Sequence, residues 1–196
     1  IYWDGALGFC CNENHKLYST DQEPTYNIRN MSISEWYNSR LMRDVRLGMH
    51  GEQPLSICER CYHEEAHGGV SRRIRSNQKS VIFQQAFTAS FEQSPGRRYF
   101  DKSGITATHP IDIHVDLGNY CNLACKMCNA RASSTIASQH VKWGIESSRQ
   151  YLGTDWTQDD SVWNSFLQQL LAIPGLNNIH FMGGETLLTP RFSDLE

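Results

Sequence analysis

The 196-residue chain has no apolar run approaching the length of a membrane span. It has no excess of positive charge either. Eighteen Lys and Arg stand against 21 Asp and Glu, a net charge of -3, which argues against a general nucleic-acid surface. Internal repeats and low-complexity tracts are missing. No basic segment leads into an apolar stretch at the start, so no signal peptide is expected. A start at Ile1 instead of Met leaves a removed leader open and suggests a trimmed N-terminus. An odd number of cysteines, seven, fits a disulfide framework poorly, and the chain is long for a disulfide scaffold.

What is present is a set of clustered cysteines and enough apolar sequence, 39%, to bury a core. Cys121, Cys125 and Cys128 form a tight trio, whereas Cys10, Cys11, Cys58 and Cys61 form a scattered quartet. Short spacings of this kind point to two metal sites in a reducing compartment, with a cytoplasmic location and no membrane association.

Two modules are expected: residues 1–80, a linker at 81–109, and residues 110–196. In the first, Ile1–Trp3 and Ala6–Cys11 read as strands of a hairpin turned at Asp4-Gly5. Ser32 and Glu35 can form a capping box, and Tyr37, Leu41, Val45 and Met49 recur as one helix face until Gly48, Gly51 and Pro54. In the second module, Ile111, Ile113, Val115 and Leu117 alternate with Asp112, His114 and Asp116, as a strand with one apolar face would. A helix is expected over 133–142. Another starts near Thr157 and Asp160, carries Val162, Phe166, Leu167 and Leu170 on one side, and stops at Pro174-Gly175. Asn178–Met182 reads as a second strand running into Gly183-Gly184-Glu185. Strand, loop, helix, strand is the unit of a parallel α/β fold, which places its chemistry on loops leaving the strands' C-terminal ends. Both the trio and the Gly-Gly-Glu lie there.

Three thiolates on Cys-x3-Cys-x2-Cys are one fewer than a 4Fe-4S cube normally takes, so one iron is left open to a small molecule. Two glycines allow close approach to the backbone, and the Glu185 carboxylate can pair with an ammonium group. Taken alone, Gly-Gly-Glu is more simply a turn with a solvated charge; beside the cysteine loop the binding reading gains weight.

The stretch LGNYCNLACKMCN followed by FMGGE on the next strand resembles the radical S-adenosylmethionine (SAM) superfamily. The resemblance implies a 4Fe-4S cluster on Cys121, Cys125 and Cys128, and SAM held at its methionine end by Gly183, Gly184 and Glu185. Met127 stands where the family usually has an aromatic residue near the adenine, and an adaptable apolar side chain keeps packing there. The fold implied is α/β, a partial radical SAM (β/α)6 barrel of which the first two strands are present. Without the remaining strands, residues 1–196 by themselves are expected to be inactive.

The first module resembles a small α+β auxiliary-cluster domain of the SPASM or twitch type, placed here before the barrel. Gly5-x4-Cys10, the helical stretch 27–49 and Cys58-x2-Cys61 carry that likeness. It implies at most one auxiliary 4Fe-4S cluster on Cys10, Cys11, Cys58 and Cys61, with a four-cysteine zinc site as the alternative. The implied activity is reductive cleavage of SAM and hydrogen abstraction from a substrate, plausibly a peptide or protein, with flavodoxin or ferredoxin as reductant. The competing class is a non-enzymatic zinc-binding module. His63-Glu64-Glu65-Ala66-His67 matches a zinc-protease pattern, but Gly68-Gly69 would end the helix it needs. Arg72, Arg73, Arg75 and Lys79 read either as an anion or partner contact or, more simply, as a solvated connector.

Overall fold

The computed structural model describes residues 1–10, 26–51, 54–76, 78, 100–153 and 155–195. Its chain divides into two compact units. One comprises Ile1–Gly8, Pro24–Tyr37 and His109–Glu196; the other comprises Phe9–Glu23 and Asn38–Thr108. The change at His109 falls beside the expected one at 110, but the N-terminal residues do not follow the expected boundary at 80. The reason is hydrogen bonding over long sequence separation. Ile1 N donates to His114 O at 2.7 Å, and Asp116 N donates to Ile1 O at 2.9 Å. Residues 1–8 therefore belong with the strand module.

The first unit is built on two parallel strands, β1 (Asp112–Asp116) and β2 (Asn178–Met182). Their register pairs Asp112 with Asn178, His114 with His180 and Asp116 with Met182. Alternation in β1 has the consequence expected from its sequence, since Ile113, Val115 and Leu117 are buried while Asp112, His114 and Asp116 lie on the other face. Among the described residues no paired strands form at the N-terminus, although Tyr2 N donates to Ala6 O at 2.9 Å across the turn. Asp4-Gly5 does make a tight turn, with Gly5 at φ 85°, but Ala6 forms an isolated antiparallel bridge to Asn27 instead.

Helix α1 (Ile33–Tyr37) opens with the capping box: Ser32 N donates to Glu35 Oε2 at 2.8 Å and Glu35 N to Ser32 Oγ at 3.1 Å. The helix expected to run on to Met49 breaks after Tyr37. Ser39 acts as a second N-cap, accepting from Met42 N, and starts α2 (Arg40–His50). Asn38 is drawn out of helical geometry by paired bonds to the Thr106 backbone, at 2.9 and 3.0 Å. On α2, Met42 and Val45 are the buried residues, whereas Met49 is exposed.

The second unit contains α2, a short 3-10 turn (Ser56–Cys58), α3 (Glu59–Ala66) and a helical segment at 72–76. Residues 100–108, expected as part of a linker, pack on α2 instead. Arg46 donates to Gly104 O at 3.0 Å, and Gly104 sits against the Arg43 backbone at φ 81°. The rest of that expected linker lies outside the described residues.

Returning to the first unit, α4 (Ser134–Lys142) is capped by Ser133, and α5 (Asp160–Ala172) by Asp159. The cap is thus Asp159, not Thr157. Its carboxylate accepts from Ser161 Oγ at 2.7 Å and from the Val162 and Ser161 amides, the hydroxyl foremost, which holds that carboxyl below the usual range. The core-facing residues of α5 are Trp163, Phe166 and Leu170. Trp156 joins them, with ring centroids 5.0 Å from Phe166 and 5.8 Å from Trp163. Its indole N–H donates to Asp116 O at 3.0 Å, which ties the aromatic core to the end of β1. No helix among the described residues is long and apolar enough to cross a membrane.

Candidate functional site

Beyond β1 and β2 the two chains stay zipped together. Leu117 N donates to Met182 O at 2.8 Å, Gly184 N to Gly118 O at 3.2 Å and Glu185 N to Tyr120 O at 2.8 Å. Gly-Gly-Glu is therefore bonded to the residues immediately before Cys121. The glycines have a steric reason for being there. A Cβ at Gly184 would lie 2.4 Å from Tyr120 O and 2.7 Å from Asn119 O, and one at Gly183 would lie 2.7 Å from Gly118 O. Gly183 also adopts φ 145°, which L side chains rarely do. So the close approach that two glycines permit is used here, at least in part, by the chain's own backbone.

The cysteine loop is anchored on its other side by the start of α4. Ser134 Oγ accepts from Cys121 N at 3.1 Å, and Thr135 Oγ1 donates to Cys121 O at 2.6 Å. Ser133 Oγ donates to Leu123 O at 2.8 Å, and Ser134 N donates to Asn119 O at 2.8 Å. Asn129 Oδ1 closes the far end, accepting from Arg131 N at 3.0 Å and Ala132 N at 3.2 Å. The loop's carbonyls and amides are thus held by short side chains suited to such local bonds.

The three sulfurs differ in exposure. Cys121 is buried, Cys128 is half-buried against Ala130, Ile136 and Ala137, and Cys125 is exposed. All three are free thiols. Leu123 N–H points at Cys121 Sγ from 3.4 Å, the kind of N–H···S contact that tunes a bound cluster. The donor set fits an iron–sulfur group: three free thiols on one anchored loop, one with an N–H donor and one open to solvent. Met127 is 94% exposed, and Tyr120 and Leu123 beside the cysteines are about half exposed, so the loop carries an uncovered apolar rim. The Glu185 carboxylate has no hydrogen bond or ion pair among the described residues, which leaves it available to a cation.

Of the quartet, Cys58 and Cys61 are buried three residues apart, at the cap and in the first turn of α3. Cys10 is partly exposed and belongs to the same unit, while Cys11 lies outside the described residues. Arg73 pairs with Glu65, with Nε 3.2 Å from Oε1, and its guanidinium lies 5.0 Å from the Tyr62 ring. The hydrogen-bonded Glu65 carboxylate holds the Arg73 guanidinium above its ordinary value, outweighing the opposing effect of burial. Arg73 thus has a structural partner within its unit; Arg72 and Arg75 are exposed, and Lys79 lies outside the described residues. His63 and His67 stack at 4.4 Å, but α3 ends at Ala66 and the His67 ring bonds back to His63 O.

One cluster was not legible as such in the sequence. Asp112, His114 and His180 bring one ligand atom each to within 4.8 Å of one another, the group among the described residues that meets this spacing. The signal was a D-x-H on one strand and a lone His on the next. Only the parallel register turns those scattered residues into neighbours.

Comparison of the chain with protein-family models, with curated proteins and with solved structures returns no match.

Proposed function

We propose that the chain is part of a radical SAM enzyme. The observation that carries this reading is the direct bonding of Gly183-Gly184-Glu185 to the residues entering the cysteine loop, with Glu185 N donating to Tyr120 O at 2.8 Å. It joins the two motifs of the resemblance into one local structure. Cys121, Cys125 and Cys128 would hold a 4Fe-4S cluster. When bound there, such a cluster supplies the electron that cleaves SAM to a 5′-deoxyadenosyl radical, which abstracts hydrogen from a substrate.

The chain's own residues have the following roles. Ser133, Ser134 and Thr135 fix the backbone of the loop, so the thiols are presented from one rigid segment. The Leu123 amide donates to Cys121 Sγ. Glu185 binds the ammonium group of SAM, and the Gly183-Gly184 backbone lines its methionine end. Met127, with Tyr120 and Leu123, offers the adenine an apolar surface. Cys10, Cys11, Cys58 and Cys61 would hold an auxiliary 4Fe-4S cluster. A peptide or protein substrate, a flavodoxin- or ferredoxin-type reductant and a cytoplasmic setting complete the proposal.

The test is anaerobic reconstitution with iron and sulfide. The chain should turn brown, with iron and acid-labile sulfide that Cys125→Ala loses. Protein from the complete reading frame, given dithionite and SAM, should release 5′-deoxyadenosine. A colourless protein holding zinc in both cysteine groups would instead support the binding-module class.

A further inference from the structure

The histidines on the open face of the sheet form a second, separate constellation. His114 of β1 and His180 of β2 are register partners, and their rings lie 4.5 Å apart at an interplanar angle of 34°. Asp112, two residues before His114 on the same face, reaches toward both. Its Oδ1 lies 3.7 Å from His114 Nε2 and its Oδ2 lies 3.4 Å from His180 Nε2. Both separations are within ion-pair reach and longer than the 2.7–3.0 Å of charge-assisted hydrogen bonds. One ligand atom from each of the three residues lies within 4.8 Å of the other two, a spacing one ion can span. Ligands at about 2.0–2.1 Å from a tetrahedral ion stand about 3.3–3.4 Å apart.

From this arrangement we propose that Asp112, His114 and His180 bind one divalent late-transition ion, of the zinc or cobalt class. Two imidazoles and one carboxylate are the borderline donor set that such ions prefer. The residues are exposed or half-exposed, so an ion can enter from solvent without rearrangement of the sheet. Three protein ligands leave a coordination position open, as in catalytic zinc sites, and a water or an anionic group of a small molecule can occupy it. Strand pairing fixes His114 against His180, so the geometry is set before the ion arrives. No ligand is shared with the cysteine loop, and the two sites stand or fall separately.

The experiment is a Zn2+ titration of the 15N-histidine-labelled chain, read at the imidazole nitrogens. This readout is site-resolved and does not depend on what the thiols bind. His114 and His180 Nε2 should shift together on one ion. His180→Ala, and the near-isosteric Asp112→Asn, should each raise the zinc concentration that half-shifts His114 by at least about tenfold. Far-UV circular dichroism identifies a variant that fails to fold; if His180→Ala does, Asp112→Asn decides. The proposal is overturned if neither ring responds at saturating zinc. It is equally overturned if the His114 midpoint is unchanged in the folded variants, or if His63 and His67 respond in place of the strand pair.

Discussion

Replacing Gly184 by alanine should separate the two halves of the candidate SAM site, and the size of the effect can be worked from the backbone. The new methyl carbon would sit 2.4 Å from Tyr120 O. A relaxed C···O contact is about 3.3 Å, so one chain must move by close to an ångström. The obstacle is backbone, which cannot rotate away as a side chain can. The movement breaks or stretches the Glu185 N to Tyr120 O bond at 2.8 Å. Overpacking costs about 1–3 kcal/mol and a lost hydrogen bond about 0.5–1.5 kcal/mol, which together give about 2–4 kcal/mol. Gly184 does not adopt a left-handed φ, so this cost is steric throughout. Gly175→Ala is the control: Gly175 has φ 72° but nothing within 4 Å of a Cβ. It should lose about 1–2 kcal/mol through backbone strain alone and keep its iron. The assay is urea unfolding followed by tryptophan fluorescence, together with iron bound per chain after anaerobic reconstitution. The reasoning fails if Gly184→Ala retains full iron and unfolds within about 0.5 kcal/mol of the parent.

Other expectations test different parts of the structure. Ser133→Ala removes the cap of α4 and the donor to Leu123 O, so it should destabilise by about 1–2 kcal/mol and lower iron retention, read by the same two assays. Glu185→Gln keeps the shape but removes the charge, and should weaken SAM binding to the loaded protein about 10–100-fold, measured by equilibrium dialysis. Trp156→Ala empties the centre of the aromatic core and should cost about 3–5 kcal/mol in thermal or urea unfolding. Burial raises the Asp155 carboxyl above its ordinary value, outweighing the bonds it accepts from Thr157. The folded state therefore holds that proton more tightly than the unfolded chain. Its contribution to stability is complete below the usual aspartate range and falls as pH rises through the elevated value. Asp155→Asn should flatten that fall in a pH series of unfolding midpoints; an unchanged slope would show that another group is responsible.

Local signals were legible and long-range pairings were not. The alternation around Val115 displays a strand because each second residue meets the core. Ser133 and Pro174-Gly175 bound their helices because caps and breakers act over a few residues. The Ser32–Glu35 box was visible for the same reason. By contrast, the break at Asn38 depends on Thr106, far along the chain, and propensity alone favours one continuous helix there. The placement of Ile1 beside β1 rests on backbone bonds that carry no side-chain signature. Aliphatic periodicity on α5 points to Val162 and Leu167, whereas the core is organised by aromatic stacking of Trp163 and Phe166 around Trp156. At the candidate site, the order of cysteines and glycines could be read directly. The contact of Gly184 with the Tyr120 and Asn119 carbonyls, and the meeting of His114 with His180, required the register of the two strands.

That register also gives the small sheet a direction. Ile1 already satisfies backbone groups of β1 at His114 and Asp116, on the side away from its partner. The outer margin of β2 has no such neighbour among the described residues. Accretion of a further strand is therefore one-sided, beside Asn178–Met182.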